Sequence, residues 1–213
     1  MGKFQKGILG GFSGTVGTVV GASWRGMDIL RSRPKRTSRI PTEKQAEQRL
    51  RFKTVAEFLR PIRPLLRSFF GQPASEKSRS NLASSYHMQE ALQGIYPAIE
   101  LDFERVIISK GELLGVENPI VVPQNGATLQ VDWTDNSGQG LAKTDDGLII
   151  AVFNPDKELW DSRTSAAARA TSTYSFQLPA SWSGDMVHCY LSIASLDEMK
   201  YANSVYFGPL VLL

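Results

Sequence analysis

The sequence predicts an α+β protein: a C-terminal antiparallel β-sandwich of the immunoglobulin-like or fibronectin III-like kind, preceded by an N-terminal glycine-rich β-hairpin or arm and a two-helix connector. Three observations carry this reading. From residue 98 onward apolar and polar residues alternate in short runs separated by turn signals. Residues 41–97 instead show helix start signals and an apolar stripe. Residues 7–26, GILGGFSGTVGTVVGASWRG, repeat glycine among strand-forming residues with no charge between Lys6 and Arg25. The chain therefore divides into residues 1–40, glycine-rich strands and a basic arm; 41–97, a helical connector; and 98–213, the sandwich.

In the first block Thr15, Val16, Thr18, Val19 and Val20 favour strands, and glycine within a strand marks a bulge or the close approach of another backbone. Residues 12–31 are expected to form a hairpin or paired edge strands, with Trp24, Met27, Ile29 and Leu30 as contacts. The basic run Arg31-Ser-Arg-Pro-Lys-Arg-Thr-Ser-Arg39 is held extended by Pro34 and Pro41, so it reads as a strand end or arm. Helix initiation follows at Pro41-Thr42-Glu43-Lys44-Gln45, where Thr42 can cap and Gln45 stands at the return position of a capping box. Leu50, Phe52, Val55, Ala56 and Leu59 give that helix its apolar stripe until Pro61 and Pro64 end or kink it. A second helix is expected through Leu82, Tyr86, Gln89 and Leu92, stopping at Gly94 and Pro97.

The third block changes period. Ile99, Leu101 and Phe103 alternate with Glu100, Asp102 and Glu104, and Leu129, Val131 and Trp133 alternate with Gln130 and Asp132, which is the two-residue repeat of half-buried strands. GLIIAVFN, TYSFQLP, MVHCYLSI and NSVYFGPLVLL supply further strands, about seven in all. The stretch Leu178 to Tyr190 has the spacing of the crossing between the fifth and sixth strands of an immunoglobulin-like or fibronectin III domain.

The composition, 42% hydrophobic and 21% charged, is that of a folded chain. One cysteine, Cys189, excludes an internal disulfide framework and a Cys-rich zinc site. The net charge of +3 conceals an asymmetry: residues 1–80 hold 17 Lys+Arg against 5 Asp+Glu, whereas residues 81–213 hold 7 against 16. Such a basic front half suits an acidic partner, whether nucleic acid, an anionic surface or the rear half of a neighbouring copy, or simply presents a solvated helical face.

No catalytic constellation emerges. His188 and Cys189 are adjacent in a strand and point to opposite faces, which disfavours a nucleophile and base pair. Asp132, Asp135, Asp145, Asp146 and Asp156 match no calcium loop and read as turn residues. The glycines contain neither G-x-G-x-x-G nor G-K-[ST], so no nucleotide loop is expected. Six glycines between Gly7 and Trp24 make that run too weakly apolar for a membrane span or a signal-peptide core, which favours a cytoplasmic or virion-associated location. No cofactor, metal or small-molecule ligand is expected; Trp133, Trp160 and Trp182 as a carbohydrate platform form a further alternative to a core role.

Gly10-Gly-Phe-Ser-Gly-Thr-Val-Gly-Thr-Val-Val-Gly21, Trp24-Arg-Gly26, Arg31-Ser-Arg-Pro34 and Pro41-Thr42 with Gln45, Gln48, Arg49 and Phe52 resemble a family of Bacteroidota proteins of unknown function. That family shares a glycine-rich opening, an R-S-x-P step, a P-T-x-x-Q helix start and a strand-rich C-terminal half. The resemblance implies no catalytic residue. Short phage-associated proteins have a similar R-x-x-P…P-T-x-x-Q-x-x-x-R step, which inclines the reading toward virion or surface assembly. The expected function is that of a non-enzymatic structural or assembly protein, a homo-oligomer joined through Gly11, Gly14, Gly17, Gly21, Trp24, Arg25, Arg31, Arg33, Lys35, Arg36 and Arg39. The alternative is a nucleic-acid-binding module that uses the basic 31–53 segment on phosphates.

Overall fold

A computed structural model describes residues 3–4, 11–24, 27–35, 40–73 and 77–213. The chain divides into two compact units, Met1–Thr42 and Glu43–Leu213.

The first unit is one antiparallel sheet in the order β1-β2-β3-β4, with β1 Lys3–Phe4, β2 Phe12–Val16, β3 Val19–Trp24 and β4 Met27–Ser32. The hairpin expected over residues 12–31 is thus a three-stranded meander to which β1 adds a short fourth strand. Gly17 turns the chain between β2 and β3 at a φ of +58°, a conformation that L side chains rarely adopt. At Gly21 the reason for glycine is space: an added Cβ would lie 2.8 Å from two carbons of the Phe12 ring and would also strike the Phe12 carbonyl. The close approach anticipated from the glycine spacing is, at this position, made by the chain's own strand.

The second unit opens with helices. α1 spans Glu43–Leu59, α2 Arg63–Phe69 and α3 Arg79–Glu90. Three helices stand where two were expected, because Pro61 and Pro64 do not merely end α1; Pro64 sits in the first turn of α2, where its missing N–H is harmless. The Ser78 side chain caps α3 by accepting from the backbone N–H of Asn81 at 3.3 Å. Leu92, read as the last helical residue, instead begins a hairpin of β5 Leu92–Ile95 and β6 Ala98–Leu101. The alternation that starts at Ile99 stops at Leu101, since Asp102 accepts from the Glu104 N–H and starts a short 3-10 turn over Phe103–Arg105.

Seven strands then build the sandwich: β7 Glu117–Gln124, β8 Thr128–Thr134, β9 Gly147–Asn154, β10 Leu159–Arg163, β11 Thr173–Gln177, β12 Met186–Ala194 and β13 Val205–Val211. They form a four-stranded sheet, β10-β9-β12-β13, and a three-stranded one, β11-β8-β7, every pairing antiparallel. Leu129, Val131 and Trp133 of β8 face inward as their alternation predicts, against Leu148, Ile150 and Val152 of β9 and Cys189, Leu191 and Ile193 of β12.

The opposite faces of β9 and β12 are buried too. Ile149, Ala151 and Phe153 of β9 and Tyr190 of β12 share a second core with Val55, Phe58 and Leu59 of α1 and Leu65, Leu66 and Phe69 of α2. Helices, large sheet and small sheet therefore stack as three layers, which accounts for the burial of every residue of β9. The Phe58 ring meets Phe153 edge-on at 5.0 Å and Trp160 at 5.1 Å, and Trp160 Nε1–H donates to the Phe58 carbonyl at 3.2 Å.

At one end of the sandwich a buried arginine ties the loops together. Arg169 donates to Asp146 Oδ2 through Nε and one terminal nitrogen, at 3.2 and 3.1 Å, and to the Leu114 carbonyl, the Gly115 carbonyl and Asn136 Oδ1 at 2.8, 2.9 and 2.5 Å. Both Arg169 and Asp146 are wholly removed from solvent.

Candidate interaction surface on the N-terminal sheet

Cross-strand register assigns the first unit's side chains to two faces. The pairs Val16↔Val19, Gly14↔Gly21 and Gly21↔Leu30 share one face; Thr15↔Val20, Val20↔Arg31, Ala22↔Ile29 and Trp24↔Met27 share the other. The first face exposes Val16 at 51% and Leu30 at 66%, and the second exposes Trp24, Met27 and Ile29. All six residues of β4 are exposed. Among the described residues this unit contributes only Gly21 to the buried class, and neither of the chain's two buried hydrophobic clusters takes a residue from it.

The residues singled out in the sequence fall into place unevenly. Gly14 and Gly21 are cross-strand partners, Gly17 is in the turn, and Gly11 leads into β2, close to the Asp28 carboxylate. Trp24 and Arg31 lie on one face with Met27 and Ile29 between them in register. Arg33 and Lys35 follow β4 and are exposed, the Arg33 N–H bonding the Thr18 carbonyl at 2.7 Å. Among the described residues Arg31, Arg33 and Lys35 form no ion pair. Arg25, Arg36 and Arg39 lie outside the described residues. Val16 and Val19 were not singled out as contacts; the turn at Gly17-Thr18 pairs them across the hairpin, a register fixed only once that turn is placed.

In the second unit the groups with chemical potential are structural. Cys189 lies between the sheets, where burial pushes its thiol far above the ordinary range. His188 points the other way, stacks on Phe103 at 4.1 Å and places Nδ1 2.8 Å from Tyr206 Oη; burial lowers its pKa. His87 is fully buried on α3 with Nδ1 2.8 Å from the Ala83 carbonyl, so Nδ1 carries the proton and donates. Nε2 makes no hydrogen bond of ordinary geometry, although the Ile107 backbone lies near the ring. Burial, opposed more weakly by the Ala83 and Ile107 carbonyls, lowers the His87 pKa to about 4.

The aspartates hold turns and networks. Asp135 accepts from the Ser137 N–H and hydroxyl, Asp132 accepts from Thr173 and Gln130, and Asp185 binds Asn154 and Lys157. Those side-chain bonds hold the Asp132 and Asp185 carboxyls below the usual range. Among the described residues no group of three His, Cys, Asp or Glu is placed to hold a metal ion. Trp133 and Trp182 are closed inside the sandwich, and Trp160 packs against Phe58, Phe153 and Tyr190, so their rings serve the core. None of the described helices is long and apolar enough to cross a membrane.

The sheet order and the seven antiparallel strands define an immunoglobulin-like β-sandwich, here backed by helices and preceded by a separate small sheet. The chain belongs to a family of unknown function, DUF6266, whose match runs over residues 11–208. Among solved structures it is similar to the fibronectin type III domain of human collagen alpha-1(XX) chain, at 18% identity over 49% of this chain and 90% of that one, with a TM-score of 0.34. No curated protein matches the sequence.

Proposed function

We propose that this is a non-enzymatic structural or assembly protein that joins copies of itself through the N-terminal sheet and the basic segment behind it. The observation that carries the reading is a sheet without a core: Val16, Leu30, Met27 and Ile29 are left exposed over its two faces, and no buried cluster includes any of its described residues. A unit of about 40 residues is at the lower limit for folding alone without disulfide or metal support. Its end strand β4 also presents an edge. Apolar faces and an open edge are what a second copy can cover, while the acidic residues 81–213 complement the eight Lys+Arg that stand against one Asp in residues 1–42.

Mass photometry of the full chain at low and high salt tests this. The expected result is a homo-oligomer that weakens as salt rises and is lost on deleting residues 1–40 or on introducing Leu30→Asp. A monomer at every salt concentration refutes it. The same basic excess is the observation favouring nucleic acid, and a mobility shift at physiological salt without self-association would transfer the reading there.

A further inference from the structure

The second unit carries a different surface feature, in its helical layer. A cleft of about 580 Å³ lies over α1, α2 and α3, its floor made by Phe52, Ala56, Leu59, Leu66 and Met88. Ser85 and Met88 carry it on into a smaller hollow bounded by Gln48, Arg51 and Gln89, so the depression follows the seam between α1 and α3. From Gln48 to Arg60 the seam is about 18 Å long, or roughly three helical turns. Phe52 is 56% exposed although it stands on this floor. Along the α3 wall Ser80, Ser84 and Ser85 stand with Asn81 and Met88, and the serines are small enough for another backbone to come close.

Polar side chains line both ends, but among the described lining residues the cations without a carboxylate partner are gathered at one. Arg51 and Lys53 are engaged along α1 by Glu47 and Glu57, at 2.9 and 4.0 Å. Arg60 and Arg63, both exposed at the α1–α2 corner, have no carboxylate among the described residues. The N-terminus of α3 reaches the same end and adds the positive pole of its backbone dipole. Ser80, in the first turn of α3, lines the cleft, and its hydroxyl is shielded from water without a hydrogen-bond partner.

We propose that this cleft docks an acidic amphipathic helix of a protein partner, about three turns long, its apolar face on Phe52 and Met88 and its carboxylates at the Arg60–Arg63 end. Charge complementarity selects that occupant. A nucleic acid calls for cations along the whole groove, whereas here two free guanidinium groups sit at one end of an apolar floor. The basic N-terminal segment of another copy is excluded by like charge at the same end. The inference stands apart from self-association, because it uses none of the residues of the first unit.

The test pans a display library of helical peptides of roughly three to four turns against the full chain. Enriched peptides should carry Leu, Phe or Met at i, i+3 or i+4 and i+7, with Asp or Glu clustered at one end. Binding of the best labelled peptide should weaken about tenfold or more in Phe52→Ser and in the double variant Arg60→Glu/Arg63→Glu. Both variants alter exposed positions, and unchanged urea midpoints confirm that they fold. A peptide with its carboxylates changed to lysine should regain binding to the double variant alone. The proposal is overturned if no peptide is enriched, if the enriched set lacks the acidic or apolar pattern, if both variants bind as the parent does, or if a labelled single-stranded oligonucleotide displaces the peptide.

Discussion

Acidifying the protein should weaken it through one side chain, His87. The unfolded chain takes up a proton on this histidine below its ordinary pKa of 6.5, whereas in the folded protein burial delays protonation to about 4. Between those values the unfolded state binds more protons. Stability is therefore complete above pH 6.5, declines as pH falls, and stops declining from this source below about pH 4. The contribution lost is about 2 kcal/mol by pH 5 and about 3 kcal/mol at the bottom of the window. Urea unfolding across this range, compared between the parent and His87→Met, isolates the term: carboxylates and His188 titrate in both proteins, and the variant loses only the His87 share. Equal pH slopes for the two proteins between pH 6.5 and pH 5 would show that the His87 ring reaches water, and the buried position would have to be abandoned.

Two further outcomes follow from particular contacts. Arg169→Met removes the only cation that pairs, among the described residues, with the buried Asp146 carboxylate, leaving it the Lys143 N–H, and takes a donor from Leu114, Gly115 and Asn136, of which Gly115 keeps the Asn136 amide; the expected loss is about 3–5 kcal/mol in chemical denaturation, a substantial part of a domain's stability, and a change under about 1 kcal/mol contradicts the network. Gly21→Val forces the Phe12 ring away from β3 and should abolish self-association in mass photometry while leaving the main thermal transition of residues 43–213 within a degree or two, so an intact oligomer in this variant removes the N-terminal sheet from the interface.

The sandwich was legible because the strands of its three-stranded sheet alternate. Leu129, Val131 and Trp133 announce one buried face and one wet one, and β8 is built that way. The third layer was harder to see. The run Leu148-Ile-Ile-Ala-Val-Phe153 has no alternation, and an uninterrupted apolar strand signals cover on both faces, but periodicity alone does not say whether a second sheet or a helix supplies it. Only tertiary packing brought α1 and α2 onto β9. In the first unit the glycine pattern identified strands and close approach, yet the partner at Gly21 is Phe12, a contact that depends on strand register rather than on residue type. The cleft over α1 and α3 went unseen for a related reason: its lining comes from Phe52 to Met88, residues that only the packing of the helices brings together, and the charge at its end belongs to Arg60 and Arg63, beyond Leu59, while Glu47 and Glu57 engage Arg51 and Lys53.

The double burial of β9 and β12 bears on how this fold can be inherited. A two-layer sandwich turns the outer side of each sheet to water, so it can be cut out, duplicated and strung between other domains with its solubility intact. Here the outer side of the large sheet is closed by Phe58, Leu65 and Phe69, and a cut at residue 98 would lay Ile149, Ala151 and Tyr190 open. Recombination that moved the strands without the helices would transmit a sticky fragment, and the smallest portable piece of the second unit begins at α1.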